Sequence, residues 1–221
     1  MVLRLIYPFL SSVLSALIFF VYIMPNPLMA ARLELRHTDT AATDLSIVVG
    51  QEIEIDLWVD SDNQPLSGAA VFISFDSNVF ELVGEDRDGV SQGFQPFAPG
   101  DFLTNGEIFR NALLHEDDPA AIPSGIQLDY SVVRAVDQGQ GAAASFKLLA
   151  KAPTKGSMIR IDESGIRETR FFTPDGSQEY FRFITPLYVQ VHGIDLKGLP
   201  SELVLGRGHT DTTTFLLDKA L

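Results

Sequence analysis

The 221-residue chain has no cysteine. That excludes disulfide scaffolds, thiol nucleophiles, thiolate metal sites and a lipidated cysteine anchor. Histidine is scarce: His37, His115, His192 and His209 are scattered, and none pairs at metal-ligand spacing. Positive charge is scarce as well, with 16 Lys and Arg against 29 Asp and Glu, a net charge of -13. Such a surface repels phosphate backbones and makes nucleic acid a poor partner. There is no Gly-x-Ser-x-Gly elbow and no phosphate-cradling glycine loop. After the first thirty or so residues no stretch carries a helical stripe, which argues against a parallel α/β fold. What the chain does have is 46% hydrophobic residues, enough for a packed core.

The apolar residues fall into two kinds of pattern. Arg4 is the only charge before Arg32, and the run from Leu5 to Met24 is continuous enough to export the chain or to span a bilayer. Residues 1–31 are therefore expected to be a signal peptide or membrane anchor, with Ala30 and Ala31 as small residues at a cleavage point. A secreted or cell-surface location follows, with the membrane touched only through this segment. From residue 32 the period is two. Ile53, Ile55, Leu57 and Val59 share one face of 51–59; Val71, Ile73 and Phe75 share another; Ile126, Leu128, Tyr130 and Val132 a third; Ala144, Phe146, Leu148 and Ala150 a fourth. Asn105-Gly106 predicts a hairpin between 102–104 and 107–109, and Pro174-Asp175-Gly176 predicts another between 169–172 and 179–183. Many short alternating strands separated by turns predict an all-β protein, an antiparallel β-sandwich with jelly-roll topology, over 32–193. Residues 194–221 read as a linker and the start of an incomplete further β module.

Particular residues carry a resemblance. Val49-Gly-Gln-Glu opens an alternating strand, Gly68-Ala69 precedes the next, and Phe75-Asp76, Val79 and Glu81 follow it. Gly139-Gln-Gly141, Phe146-Lys147 and 150–156 supply a later glycine-rich turn, a Phe-Lys strand and a glycine-containing turn. In these features residues 46–192 resemble cohesin domains. The resemblance implies a nine-strand jelly roll, kinship with cellulose-binding modules, and a non-catalytic role. Cohesins bind dockerin modules and so assemble polysaccharide-degrading complexes. The implied partner is thus a dockerin-like protein module, or a polysaccharide, in extracellular polysaccharide breakdown. The alternative is a structural spacer in a larger surface protein or adhesin.

Two groups of residues invite a site. Trp58 falls on the polar side of its strand beside Glu54 and Asp56, and Phe72 is turned away from Val71 and Ile73. If the two strands are neighbours, Trp58 and Phe72 form an aromatic spot outside the core, of the sort that stacks sugars or anchors a protein. The competing expectation is that a loop such as 94–97 folds over and buries them. Asp60, Asp62 and Asn63 offer clustered oxygens to calcium, although Pro65 stands where an EF-hand loop needs glycine; the other reading is a polar turn. His115-Glu-Asp-Asp118 reads as an acidic loop. The acids mostly alternate with core residues, so no catalytic pair is expected, and no cofactor beyond the possible calcium.

Overall fold

A computed structural model describes residues 31–83, 95–114, 126–163 and 168–193. The N-terminal segment 1–30, the His115–Asp118 acidic loop and the 194–221 tail lie outside the described residues. Among those described there is no helix, and so none long and apolar enough to cross a membrane.

The chain runs β1 (Arg32–His37), β2 (Asp44–Val48), β3 (Glu52–Asp60), β4 (Gly68–Ser74), β5 (Phe80–Leu82), β6 (Ala98–Pro99) and β7 (Glu107–Leu113). It continues β8 (Ile126–Val133), β9 (Gln140–Ala150), β10 (Thr154–Ile161), β11 (Arg170–Phe172), β12 (Gln178–Glu179), β13 (Phe183–Thr185) and β14 (Leu187–His192). The first sheet has the order β13-β1-β3-β9-β5, with β6 also on β9. The second has the order β12-β11-β4-β10-β14-β2, with β8 on β4 and β7 on β8.

Alternation creates the core. Leu33, Leu35, Ile53, Ile55, Leu57, Val59, Phe146 and Leu148 project from the first sheet and meet Val71, Ile73, Leu128, Tyr130, Ile159 and Val189 from the second, all at most 2% exposed. Apolar side chains removed from water at this density are the main stabilising term of the domain. Aromatic rings fill the middle: Phe97 lies 5.0 Å from Tyr130 and 5.3 Å from Phe146, and Phe171 lies 5.1 Å from Phe181. Burial raises the Tyr130 hydroxyl above its usual range, and it donates to the Ala143 carbonyl at 3.3 Å. Gly68 marks where β4 runs against β8, since a Cβ there would sit 2.2 Å from the Val132 carbonyl oxygen.

The structure differs from the expectation in three places. The sheets are mixed, because β1 runs parallel to β13 and β2 parallel to β14. Both end segments cross between sheets. The first does so through the turn after His37, where Ala41 has φ 54°, and the last at Pro186, which has no N–H to give to a ladder. The Asn105-Gly106 hairpin does not form. Phe102 and Leu103 are buried off any strand, Gly106 N–H closes a turn onto the Leu103 carbonyl at 3.1 Å, and β7 pairs with β8 instead. The Pro174-Asp175-Gly176 hairpin does form, with Gly176 at φ 85°, but its second arm is short. Phe181 turns into the core against Phe171, and the chain crosses to β1 as β13.

Candidate functional site

Alternation correctly turns Trp58 and Phe72 away from the core, but they do not share a surface. β3 belongs to the first sheet and β4 to the second, so the two rings lie on opposite outer faces of the sandwich. Trp58 and Phe72 therefore form no aromatic spot together.

On the outer face of the first sheet the register sets Glu34 beside Trp58, Arg36 beside Asp56, Asp56 beside Ser145 and Glu54 beside Lys147. Most of the charges have partners on the face itself, although the buried Arg36 Nε has no hydrogen-bond partner. The Lys147 ammonium stands 3.2 Å from Glu54, which also accepts from the Ser145 hydroxyl at 3.1 Å. Asp56, which is buried, accepts from the Thr38 hydroxyl at 2.8 Å and lies 3.9 Å from Arg36 Nε. The Arg36 guanidinium carbon sits 3.2 Å from the centre of the Trp58 ring, which is half-buried. Phe97 is in the core, and Arg36 from the adjacent strand is on the ring. A cation over an indole is attractive in itself, so this face of the ring is already in use.

The outer face of the second sheet is built differently. Phe72 is 8% exposed and packs with Leu114 and half-buried Ala70. Its N–H donates to the Thr169 hydroxyl at 3.1 Å, and its carbonyl accepts from Asp162 N–H at 2.8 Å. Across the ladder from Phe72 is buried Asp129, whose carboxylate lies 3.4 Å from Arg110 Nε. On the other side Arg160 pairs with Ser74 in the register, and a depression of about 270 Å³ opens between Ser74, Phe75, Asp76, Met158 and Arg160. Asp162 borders this region. Burial raises its carboxyl above the usual aspartate range, against the opposing pull of Arg160 and the Ser74 hydroxyl, and its Oδ2 is buried with no hydrogen-bond partner.

Asp60, Asp62 and Asn63 form a polar turn. Asp62 and Asn63 take φ 52° and 57°, and Gln64 N–H closes onto the Ser61 carbonyl at 3.0 Å. Aspartate and asparagine tolerate this left-handed pair better than most residues, which accounts for their presence here. Asp60 spends an oxygen on Asp62 N–H at 2.9 Å. Among the described residues no group of three or more His, Asp or Glu side chains is placed to hold a metal.

No protein-family profile matches the chain, and no curated protein matches it. Solved structures do. A type II cohesin domain from the cellulosome of Acetivibrio cellulolyticus superposes with a TM-score of 0.51 at 16% identity, over 72% of this chain and 95% of that one. A chain of a type I cohesin–dockerin complex from Clostridium thermocellum gives 0.50 at 12% identity, over 76% and 97%. The cohesin CaCohA2 from Clostridium acetobutylicum gives 0.50 at 10% identity, over 74% and 91%. The fold is cohesin-like.

The residues behind the sequence resemblance have structural tasks in the cohesin-like domain. Asp76 caps the turn after β4: its carboxylate accepts from Asn78 N–H at 2.9 Å, and its carbonyl from Val79 and Phe80 N–H at 3.0 and 2.9 Å. Gly139 takes φ 103° and exchanges hydrogen bonds with Ser61. Sequence reasoning missed Arg36, Leu114, Arg110, Asp129 and Arg160. Their alternation places them outside the core, but only the strand order brings them to Trp58 or Phe72.

Proposed function

We propose that this cohesin-like domain is an exported, non-catalytic recognition module that docks a dockerin-like protein module. The docking surface in this reading is the outer face of the second sheet, around Phe72. One observation supports that choice of face. A depression of about 270 Å³ lined by Ser74, Phe75, Asp76, Met158 and Arg160 opens on this face beside the buried Phe72–Leu114 cluster, with the Arg110–Asp129 pair across the ladder. A depression with mixed apolar and charged lining offers a protein module both contact area and an ion-pairing group. The face bearing Trp58, Glu54 and Asp56 has its charges paired internally and its indole under Arg36, so a partner there would have to break existing contacts. The module works outside the cytoplasm, secreted or held at the cell surface by residues 1–31, in polysaccharide breakdown.

The test is capture of a panel of dockerin modules, with insoluble glucans alongside. Arg160→Ala should lower dockerin affinity by about 2 kcal/mol, the hot-spot range, measured on the folded fraction because losing the charge beside Asp162 also lowers the melting temperature somewhat. Trp58→Ala should leave that affinity unchanged. The opposite pattern would move the site to the first sheet. Retention on glucan without dockerin capture would favour the polysaccharide ligand, and failure to bind either would favour the structural spacer.

A further inference from the structure

The domain begins at a basic and aromatic corner. Ala31 is buried, and its carbonyl accepts from Arg182 N–H at 2.9 Å. Arg32 then stands beside Phe183 in the β1–β13 ladder. The Arg32 guanidinium carbon lies 5.1 Å, and that of Arg182 5.5 Å, from the centre of the Phe183 ring, which is 46% exposed. Both arginines are exposed, and among the described residues neither forms an ion pair. Across the ladder from Arg32 is Asp60, whose carboxylate is engaged by Asp62 N–H at 2.9 Å. Tyr180, 59% exposed, adds a second ring shortly before Phe183 in the chain, and its hydroxyl donates to Glu168 at 2.6 Å.

What precedes Ala31 in the sequence points to the occupant. The apolar run Leu5–Met24 is long enough to span a bilayer, and only residues 25–31 separate it from the domain. Fully extended, those residues reach at most about 25 Å. A chain held by the run thus keeps this corner within reach of the headgroups at high effective concentration. The side chains suit that level. Aromatic rings settle at the headgroup interface, arginine stems lie along apolar surface with their charges outward, and the guanidinium fork matches phosphate oxygens. Without the tether, the net charge of -13 would oppose approach to an anionic surface, so the contact needs both parts.

We propose that Arg32, Arg182 and Phe183 form a membrane-contact surface, which lays the β13 side of the first sheet against the phospholipid headgroups of a bilayer. The inference rests on the reading of residues 1–31 as a retained anchor. It does not depend on dockerin binding: the docking face lies on the other sheet, so the two contacts do not compete for the same residues.

The absence of cysteine permits a single label. Full-length chains carrying Thr185→Cys or Glu81→Cys are labelled with a fluorophore and reconstituted in vesicles of equal parts phosphatidylcholine and phosphatidylglycerol. Thr185 is on β13 with Phe183, whereas Glu81 is on β5 at the other end of the strand order, about 19 Å away along the sheet. A nitroxide on the lipid headgroups should quench the label at 185 several-fold more than the label at 81. Arg32→Glu combined with Arg182→Glu should remove that excess while the chain still floats with the vesicles. Equal quenching at both positions would overturn the proposal. So would an excess at 185 that survives charge reversal, because the tether alone would then set the position. Recovery of the exported chain cut after Ala31 would fail the anchor reading, and the proposal with it. If the charge-reversed chain does not fold, ionic strength decides with both arginines in place: the excess at 185 should fall as salt rises, and an excess insensitive to salt would overturn the proposal.

Discussion

The two outer faces of the sandwich come from the same alternating rule and end up with opposite characters. On the first sheet, outward residues pair across strands: Lys147 with Glu54, Thr38 and Arg36 with Asp56, Arg36 with Trp58. On the second, Phe72 and Leu114 form a small buried cluster of their own, with Asp129 buried beside it and Asp162 holding an unpaired oxygen. Among the described residues each face holds one buried polar atom without a hydrogen-bond partner, Arg36 Nε on the first and Asp162 Oδ2 on the second, but only the second opens a depression beside it, next to Arg160. An aromatic residue on the polar side of a strand is thus not enough to mark a site; what its cross-strand neighbours do with it decides.

Four substitutions test the contrast. The largest effect should come from the core that both faces share. Phe146→Ala removes a buried ring in contact with Phe97 and should cost about 3–5 kcal/mol in chemical denaturation, abolishing the distinction by loosening both sheets. Next is Trp58→Ala, which removes a half-buried ring together with its Arg36 contact. A loss of about 1–2 kcal/mol in the same assay is expected, and a neutral result would show that the first face is not held by its own pairings.

A smaller effect, with a defined pH dependence, belongs to Asp162. Its folded carboxyl lies above the ordinary aspartate value because burial disfavours the charge. The sign follows from linkage: protonated Asp162 favours the fold below the unfolded value, and that advantage is lost as pH rises through the higher folded value. Asp162→Asn should therefore stabilise the domain at neutral pH and change nothing in strong acid, as read by melting temperature against pH. A uniform shift at all pH values would assign the effect to packing. The smallest change is Lys147→Ala, which breaks an exposed pair and should cost no more than about 1 kcal/mol. A larger loss would mean that the first face acts as a network.

Much of the fold is legible in the sequence because side-chain direction has period two. Ile53, Ile55, Leu57, Val71, Ile73, Leu128 and Phe146 are all inward as alternation requires, and the Pro174-Asp175-Gly176 turn falls where its residues demand. Alternation fixes which side of its own sheet a residue takes, but not which sheet its strand joins. That is why Trp58 and Phe72 are each oriented correctly and yet are not neighbours. The Asn105-Gly106 hairpin fails for a related reason: Phe102 and Leu103 gain more from burial than from a two-stranded ladder. At Asp60, Asp62 and Asn63 the residue types suit a left-handed turn, and the backbone angles show that turn.

The parallel pairings of β1 with β13 and β2 with β14 bear on the order of events during synthesis. Each early strand finds its late neighbour only after about 140 further residues have been made. A chain delivered N-terminus first would hold β2 without its partner for almost the whole of that interval. Closure of the sandwich is thus coupled to arrival of the last strand, and a chain stalled before residue 187 would leave Leu45 and Ile47 with no strand to cover their edge.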